Sequence, residues 1–207
     1  MQLVVLANAI QKEQWAGKEH PSVQWITEPD ELAAFKADVY IDMLFEHEPQ
    51  RVALLNAVAP ATVIVNAVAL TGAELPASFV RFNGWPGAEK NPAVEIAGND
   101  DRIEMAAAAF ELLQKRVIKV PDVPGMIAPR TIAMIVNEAY FAWGEGVSTK
   151  AEIDTAMQLG TNYPYGPFAW SEQIGLEKIY RLLQQLAATD ERYLPAPAME
   201  LEMNSRL

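Results

Sequence analysis

The first 120 residues alternate between short apolar runs and helix-forming segments, and this alternation restricts the chain to few folds. Several runs have the length and β-branched content of buried strands: Leu3–Ala7, Val23–Ile26, Val39–Met43, Thr62–Asn66, Phe79–Phe82 and Val117–Val120. Helical patterns lie between strands at Asp30–Phe35, Pro49–Ala59 and Asp101–Gln114. This order predicts an α/β domain over residues 1–120, with a Rossmann-like, mostly parallel sheet covered by helices.

After residue 120 the apolar pattern takes on the period of a helix. Apolar residues recur at spacings of three and four: Ile132, Ile135, Val136, Ala139, Tyr140 and Trp143. We predict helices at roughly 126–145, 150–159 and 171–187, which would make residues 121–207 an all-α C-terminal domain. Thr149 and Glu152 have the spacing of a capping box, and Gly160 is expected to end that helix. Asp101 and Glu104 have the same spacing before the third helix of the α/β domain.

Composition and charge exclude several classes of function. The chain has no cysteine, which excludes disulfides, thiolate zinc sites and cysteine nucleophiles. Its 27 acidic and 16 basic residues give a formal charge of −11, which repels phosphate backbones, so we expect no nucleic-acid partner. No apolar run is long enough to span a bilayer and no N-terminal signal pattern is present, so we expect a cytoplasmic protein without membrane contact. No metal-ligand spacing appears, and we predict no metal site.

The loop after the first strand departs from the pattern of a dinucleotide site. Such a site needs G-x-G-x-x-G, because the glycines permit a tight turn and a close approach of the backbone to the pyrophosphate. This chain has Ala7, Ala9 and Lys12 at the three glycine positions, and each added Cβ takes up that space. Glu28 has the spacing of the acid that would bind the ribose, although a solvated loop glutamate is the alternative. We therefore expect no bound NAD and predict no cofactor.

Several motifs of the second half recur in a fixed order: DVPG at 122–125, Arg130, NEA at 137–139, GEGV at 144–147, EIDTAMQLG at 152–160, YPYGPF at 163–168 and IGL at 174–176. Together they resemble the start of the C-terminal domain of the 3-hydroxyacyl-CoA dehydrogenase family. The resemblance implies a helical domain of the 6-phosphogluconate dehydrogenase C-terminal-like fold. In related enzymes this domain forms the dimer interface and walls an acyl-CoA cleft. It therefore implies a homodimer through the C-terminal helices, with an acyl-CoA or another small molecule as a possible ligand.

The run from Ala37 to Arg51 resembles the strand and turn that approach the nicotinamide in this family. Glu46 and Arg51 match the acid and the base of that motif, with arginine in place of the usual lysine. His47 stands beside Glu46 in a strand-to-helix loop, where we expect a solvated residue that caps the helix.

The resemblance also indicates where catalytic residues should stand. Oxidation of the substrate alcohol needs a histidine base oriented by a carboxylate, and the family adds a serine and an asparagine. Glu95 matches the glutamate, but Asn83 stands at the histidine position, and an amide accepts no proton at neutral pH. Loss of a general base typically costs about 10²–10⁴-fold in rate. Val68 and Ala69 carry no hydroxyl where the serine belongs, and Pro129 replaces the asparagine.

Two functions remain open on these observations. The first is a 3-hydroxyacyl-CoA dehydrogenase-like protein that has lost catalysis and NAD binding and serves as a dimeric binding or assembly module. The second is an active oxidoreductase of fatty acid metabolism that transfers hydride between NAD and a 3-hydroxyacyl-CoA. An enzyme of a different kind would need another set of catalytic groups, and Asp42, Glu46 and Glu95 could form a group of carboxylates near the strand ends for it, or be solvated or structural.

Overall fold

The computed structural model describes residues 1–17 and 19–206, and the chain divides into two compact units, Met1–Met126 and Ile127–Leu207. The first unit contains a seven-stranded sheet in the order β2-β1-β3-β4-β5-β6-β7. Its strands are β1 (Leu3–Leu6), β2 (Val23–Ile26), β3 (Val39–Asp42), β4 (Thr62–Asn66), β5 (Phe79–Phe82), β6 (Ala93–Gly98) and β7 (Arg116–Lys119). The strands β1 to β5 are mutually parallel, β6 pairs antiparallel with β5, and β7 runs parallel to β6. The predicted mostly parallel α/β sheet is confirmed.

Both faces of the sheet are buried, as expected when helices cover a parallel sheet. Along β1, Leu3 and Val5 belong to one apolar cluster, and Val4 and Leu6 belong to a second cluster on the other face. The alternation follows from the two-residue period of a strand. This is why the strand sequences consist of nearly continuous apolar runs.

Three α-helices connect the strands: α1 (Ala9–Trp15), α2 (Pro49–Asn56) and α3 (Asp100–Leu112). Neither α1 nor β6 was predicted from the sequence. The helix predicted at Asp30–Phe35 is a 3₁₀-helix at Pro29–Ala34. The capping box predicted for Asp101 and Glu104 was wrong, because α3 begins one residue earlier and its N-cap, Asn99, makes no side-chain hydrogen bond.

The second unit consists of the helices α4 (Ala128–Gly144), α5 (Lys150–Thr161), α6 (Pro167–Ile174), α7 (Leu176–Ala187) and α8 (Pro197–Ser205). The Thr149–Glu152 capping box of α5 is confirmed, but this helix continues through Gly160 and ends at Asn162, which adopts a left-handed conformation. Gly175, at φ 96°, separates α6 from α7, where one helix over 171–187 was predicted. The sequence analysis did not predict α8. Within the described residues, no helix has both the length and the apolar character needed to cross a bilayer.

Asn137, of the NEA motif, has a structural role in the second unit. It lies on the buried side of α4, where its side-chain nitrogen donates to the carbonyl of Leu194 at 2.9 Å and its oxygen accepts from the amide of Ala196 at 2.8 Å. Both backbone groups belong to the segment just before α8. A buried amide that is satisfied in this way fixes the position of that segment.

Candidate functional site

The carboxyl ends of the parallel strands meet at one edge of the sheet, which is where ligands bind in this architecture. Leu6 of β1 pairs with Ile26 of β2 on one side and with Asp42 of β3 on the other. Strand order reverses in this region, so the crevice between β1 and β3 is the topological switch point. The loops that follow these strands therefore form the candidate site.

The N-terminus of α1 faces this edge and is capped by its own residues. The Asn8 side chain accepts a hydrogen bond from the Gln11 amide at 2.8 Å, and the Gln11 side chain accepts one from the Asn8 amide at 3.1 Å. The helix has only seven residues and no glycine in its first turn. Amides at a helix N-terminus are the groups that bind a pyrophosphate in dinucleotide sites. At this terminus two of those amides already have side-chain acceptors.

Gln11 also bridges the crevice. Its Nε2 donates to the Met43 carbonyl, just beyond β3, at 3.2 Å, and Nδ2 of Asn66 at the end of β4 donates to the same carbonyl at 3.3 Å. The Met43 amide donates to the carbonyl of Leu6 at 2.9 Å, which continues the pairing of β1 and β3 beyond the strands. Three hydrogen bonds therefore join the loops at the switch point.

Asp42 and Arg51 form a buried ion pair beside these bonds. The Asp42 side chain is fully buried, and its Oδ2 lies 3.0 Å from Arg51 Nε but without hydrogen-bond alignment. Its Oδ1 accepts from the Leu44 amide at 2.9 Å. Burial raises the pKa of Asp42 to about 6, against the opposing effects of the Arg51 charge and the Leu44 amide. The charge of Arg51, predicted to match a cofactor-binding residue, is thus directed to a carboxylate inside the fold.

Asn83 and Glu95, predicted for the catalytic dyad positions, are neighbours across β5 and β6. The Asn83 amide donates to the Glu95 carbonyl at 3.0 Å. Asn83 is 6% exposed, and its side-chain oxygen accepts from the Trp85 amide at 3.2 Å. The side chain of Asn83 therefore holds the turn after β5, and the pair has no imidazole to take up a proton.

The other predicted cofactor residues lie at or near the same edge but are not brought together. Ala7 is buried directly after β1, whereas Ala9 and Lys12 are exposed on α1. The Lys12 side chain is therefore directed to solvent and not to the contact between α1 and the sheet. Glu28 is exposed at the start of the 3₁₀-helix and caps it with no side-chain hydrogen bond, and Glu46 is exposed in the loop before α2.

A buried arginine that the sequence analysis did not consider crosses the same end of the sheet. Arg81 of β5 is 1% exposed, and its Nε donates to Asp122 Oδ1 at 3.0 Å. Its Nη1 donates to the carbonyl of Ala67 at 3.0 Å, while Asp122 Oδ2 accepts from the Gly72 amide at 2.8 Å. Arg81 thereby joins the loop after β4 to the segment after β7. A lone basic residue in the otherwise apolar run FVRF was the available signal.

The Asn8–Gln11 cap also had a sequence signal. Asparagine followed three residues later by glutamine is a capping-box pattern. The bridge from Gln11 to Met43 had no such signal, because only the sheet order brings these two residues together.

Comparisons with known proteins identify relatives of both parts of the chain. Residues 125–205 match the family described as "3-hydroxyacyl-CoA dehydrogenase, C-terminal domain". The 3-hydroxyadipyl-CoA dehydrogenase of Escherichia coli is 52% identical over 83 residues, which are 39% of this chain and 18% of the relative. A probable 3-hydroxybutyryl-CoA dehydrogenase of Bacillus subtilis is 34% identical over 106 residues, which are 50% of this chain and 37% of the relative. The alignments thus cover well under half the length of these curated relatives.

The solved structure of (S)-3-hydroxybutyryl-CoA dehydrogenase from Ralstonia eutropha superposes with a TM-score of 0.70 at 25% identity. The superposition covers 89% of this chain and 71% of that chain. The fold similarity therefore extends beyond the helical segment matched by the family and includes most of the sheet unit. The predicted resemblance is confirmed.

Proposed function

Because residues 125–205 belong to the C-terminal domain family of 3-hydroxyacyl-CoA dehydrogenases, we propose that this chain is a non-catalytic relative of those enzymes. In this proposal the chain acts as a dimeric binding or assembly module without bound NAD. The observation that carries the proposal is the hydrogen-bonded bridge of Gln11, Met43 and Asn66 across the switch point.

The residues at this edge do not fit a dinucleotide. A pyrophosphate needs unpaired amides and the close approach that glycine permits, but the Asn8 and Gln11 amides have side-chain acceptors. Ala7 adds a Cβ directly after β1. The Arg51 guanidinium lies against the fully buried Asp42 carboxylate, which offsets the positive charge that a pyrophosphate would need there.

The dyad positions support the same conclusion. A hydride transfer that leaves a ketone needs a base for the alcohol proton, and an amide at Asn83 supplies none. The Asn83 side chain is also committed to the Trp85 amide.

Calorimetric titration with NADH tests the proposal, followed by an assay of acetoacetyl-CoA reduction by NADH. We expect no heat of binding and no turnover in the wild-type chain. The Gln11→Ala variant removes the hydrogen bond to the Met43 carbonyl and is measured alongside the wild type. Weak NADH binding in this variant alone would identify the Gln11 side chain as the obstruction. Micromolar NADH affinity together with turnover in the wild type would instead establish the active oxidoreductase. Binding of the acyl-CoA without turnover would identify the ligand of the module.

Dimerisation through the helical unit is the second part of the proposal. Helix α5 has no buried residue, and Leu159 on it is 83% exposed. In the family that this chain resembles, the C-terminal helices form the dimer interface, and a helix with no buried residue and an exposed leucine fits such a contact. By sedimentation equilibrium at micromolar concentration we expect twice the chain mass of 22.8 kDa. Leu159→Lys should reduce the mass to that of the monomer, whereas the control Ile10→Lys, also at an exposed apolar residue, should not. A monomeric wild type would contradict this part.

A further inference from the structure

An open apolar groove runs between α4 and α8 of the helical unit. It encloses about 900 Å³ and is lined mainly by apolar side chains, among them Tyr140, Phe141, Trp143 and Leu201, with Glu145 and Glu202 as its charged residues. The two helices approach closely at Gly144, where an added Cβ would lie 2.9 Å from that of Ala198. Both charged residues in the lining are acidic, which suits a cation with an apolar body.

One end of the groove already holds a cation that belongs to the chain. The Lys150 ammonium lies 4.3 Å from the ring centre of Trp143, 5.2 Å from that of Tyr140 and 5.1 Å from that of Phe168. It also forms an ion pair with Glu202. Three rings and a carboxylate around one ammonium form an aromatic cage, the arrangement by which proteins recognise organic cations. Tyr140, Trp143 and Glu202 are common to the cage and the groove.

Lys150 can leave the cage without loss of the structures around it. Its side chain is about one third exposed, and the start of α5 is held independently by the Thr149–Glu152 capping box. The carboxylate retains a partner as well, because Arg206 Nη2 lies 2.5 Å from Glu202 Oε1. Burial favours a higher pKa for Glu202, but its bonds to Lys150 and Arg206 outweigh this effect and leave its pKa below the usual value. When Lys150 leaves, the ion pair with Arg206 still favours the ionised form of Glu202.

We propose that the groove between α4 and α8 binds a small organic cation with an apolar tail, whose ammonium group takes the place of the Lys150 ammonium among Tyr140, Trp143 and Phe168. The tail lies along Phe141 and Leu201. Lys150 is then an intramolecular competitor that lowers the affinity for the external cation. This site lies wholly within the helical unit and does not depend on the fate of the dinucleotide crevice.

Calorimetry with hexyltrimethylammonium tests this assignment, and hexanoate serves as a probe with the same tail and the opposite charge. The Lys150→Ala variant should bind the cation about tenfold more tightly than the wild type, because a desolvated ammonium no longer has to be displaced. Hexanoate should bind neither protein. Lys178→Ala, which removes an exposed lysine of α7, is the control and should bind like the wild type.

A second variant separates the cage from the apolar groove. Adding Trp143→Leu to Lys150→Ala removes the nearest ring but keeps an apolar wall, and should abolish the gain in affinity. A thermal melt that matches the parent variant shows that the double variant is folded. Equal affinity of the wild type and Lys150→Ala, no binding to either, or hexanoate binding as tight as that of the cation would each overturn the proposal.

Discussion

The two units of this chain place their polar groups in opposite ways. At the carboxyl edge of the sheet, Gln11, Asn66 and Arg81 are bonded to the backbone of neighbouring loops. In the helical unit, apolar side chains such as Leu159 and Leu201 are exposed, and the ammonium of Lys150 lies at the end of an open groove. The polar groups at the edge that binds ligands in this fold thus stabilise the fold itself, whereas the helical unit leaves apolar side chains exposed to solvent.

The largest change in stability is expected from Arg81→Met, at the carboxyl edge of the sheet. The change removes the buried partner of the solvent-exposed Asp122 carboxylate and leaves the Ala67 carbonyl without its donor, so we expect a loss of about 3 kcal/mol in the free energy of unfolding. Arg116→Met is the matched control, because Arg116 is exposed on β7, and it should change stability by less than about 0.5 kcal/mol. Both values come from urea unfolding. If Arg81→Met lowers the free energy of unfolding by no more than Arg116→Met does, the buried arginine contributes little to the stability of this edge of the sheet.

Asp42→Asn tests the same edge of the sheet through the pH dependence of the unfolding free energy. The pKa of Asp42 is raised in the fold from 3.8 to about 6, so in this range the folded state binds a proton that the unfolded state has lost. The unfolding free energy of the wild type should therefore fall relative to the variant as pH rises from about 4 to about 7. With 1.36 kcal/mol for each pKa unit, the difference should grow by about 2 to 3 kcal/mol. A difference that stays constant with pH would show that Asp42 is not buried as an ionisable group.

The smallest effect is expected in the helical unit. Thr149→Ala removes the N-cap of α5 and should cost about 1 kcal/mol of stability. Thr155→Ala, in the middle of the same helix, should be neutral or slightly stabilising, because alanine is the better helix former. Thermal unfolding of the two variants measures the difference. If Thr149→Ala has no effect, contacts elsewhere hold the exposed helix in place.

The elements that were predicted correctly have either a pattern set by burial or, like α5, a capping box in the sequence. Parallel strands buried on both faces must be continuous apolar runs, and so β1, β3, β4 and β5 were predicted from their apolar runs. Helix α1 was missed because it has no apolar stripe. Its Ile10 is exposed. Its one buried side chain is Trp15, whose ring centre lies 5.9 Å from that of Phe82. Strand β6 was missed because Glu95 interrupts its apolar run.

The sequence by itself determined the α/β architecture, the resemblance of the helical segment to a known family domain, and that Asn83 stands where this resemblance predicts a histidine. These follow from local periodicity and residue identity, which need no knowledge of distant contacts. Only the tertiary structure decided that Gln11 meets Met43, that Arg51 is paired with Asp42, and that the Lys150 ammonium lies among three rings. Each of these contacts joins residues on different elements, and hydrogen bonds and charges act over a few ångströms in space whatever their separation along the chain.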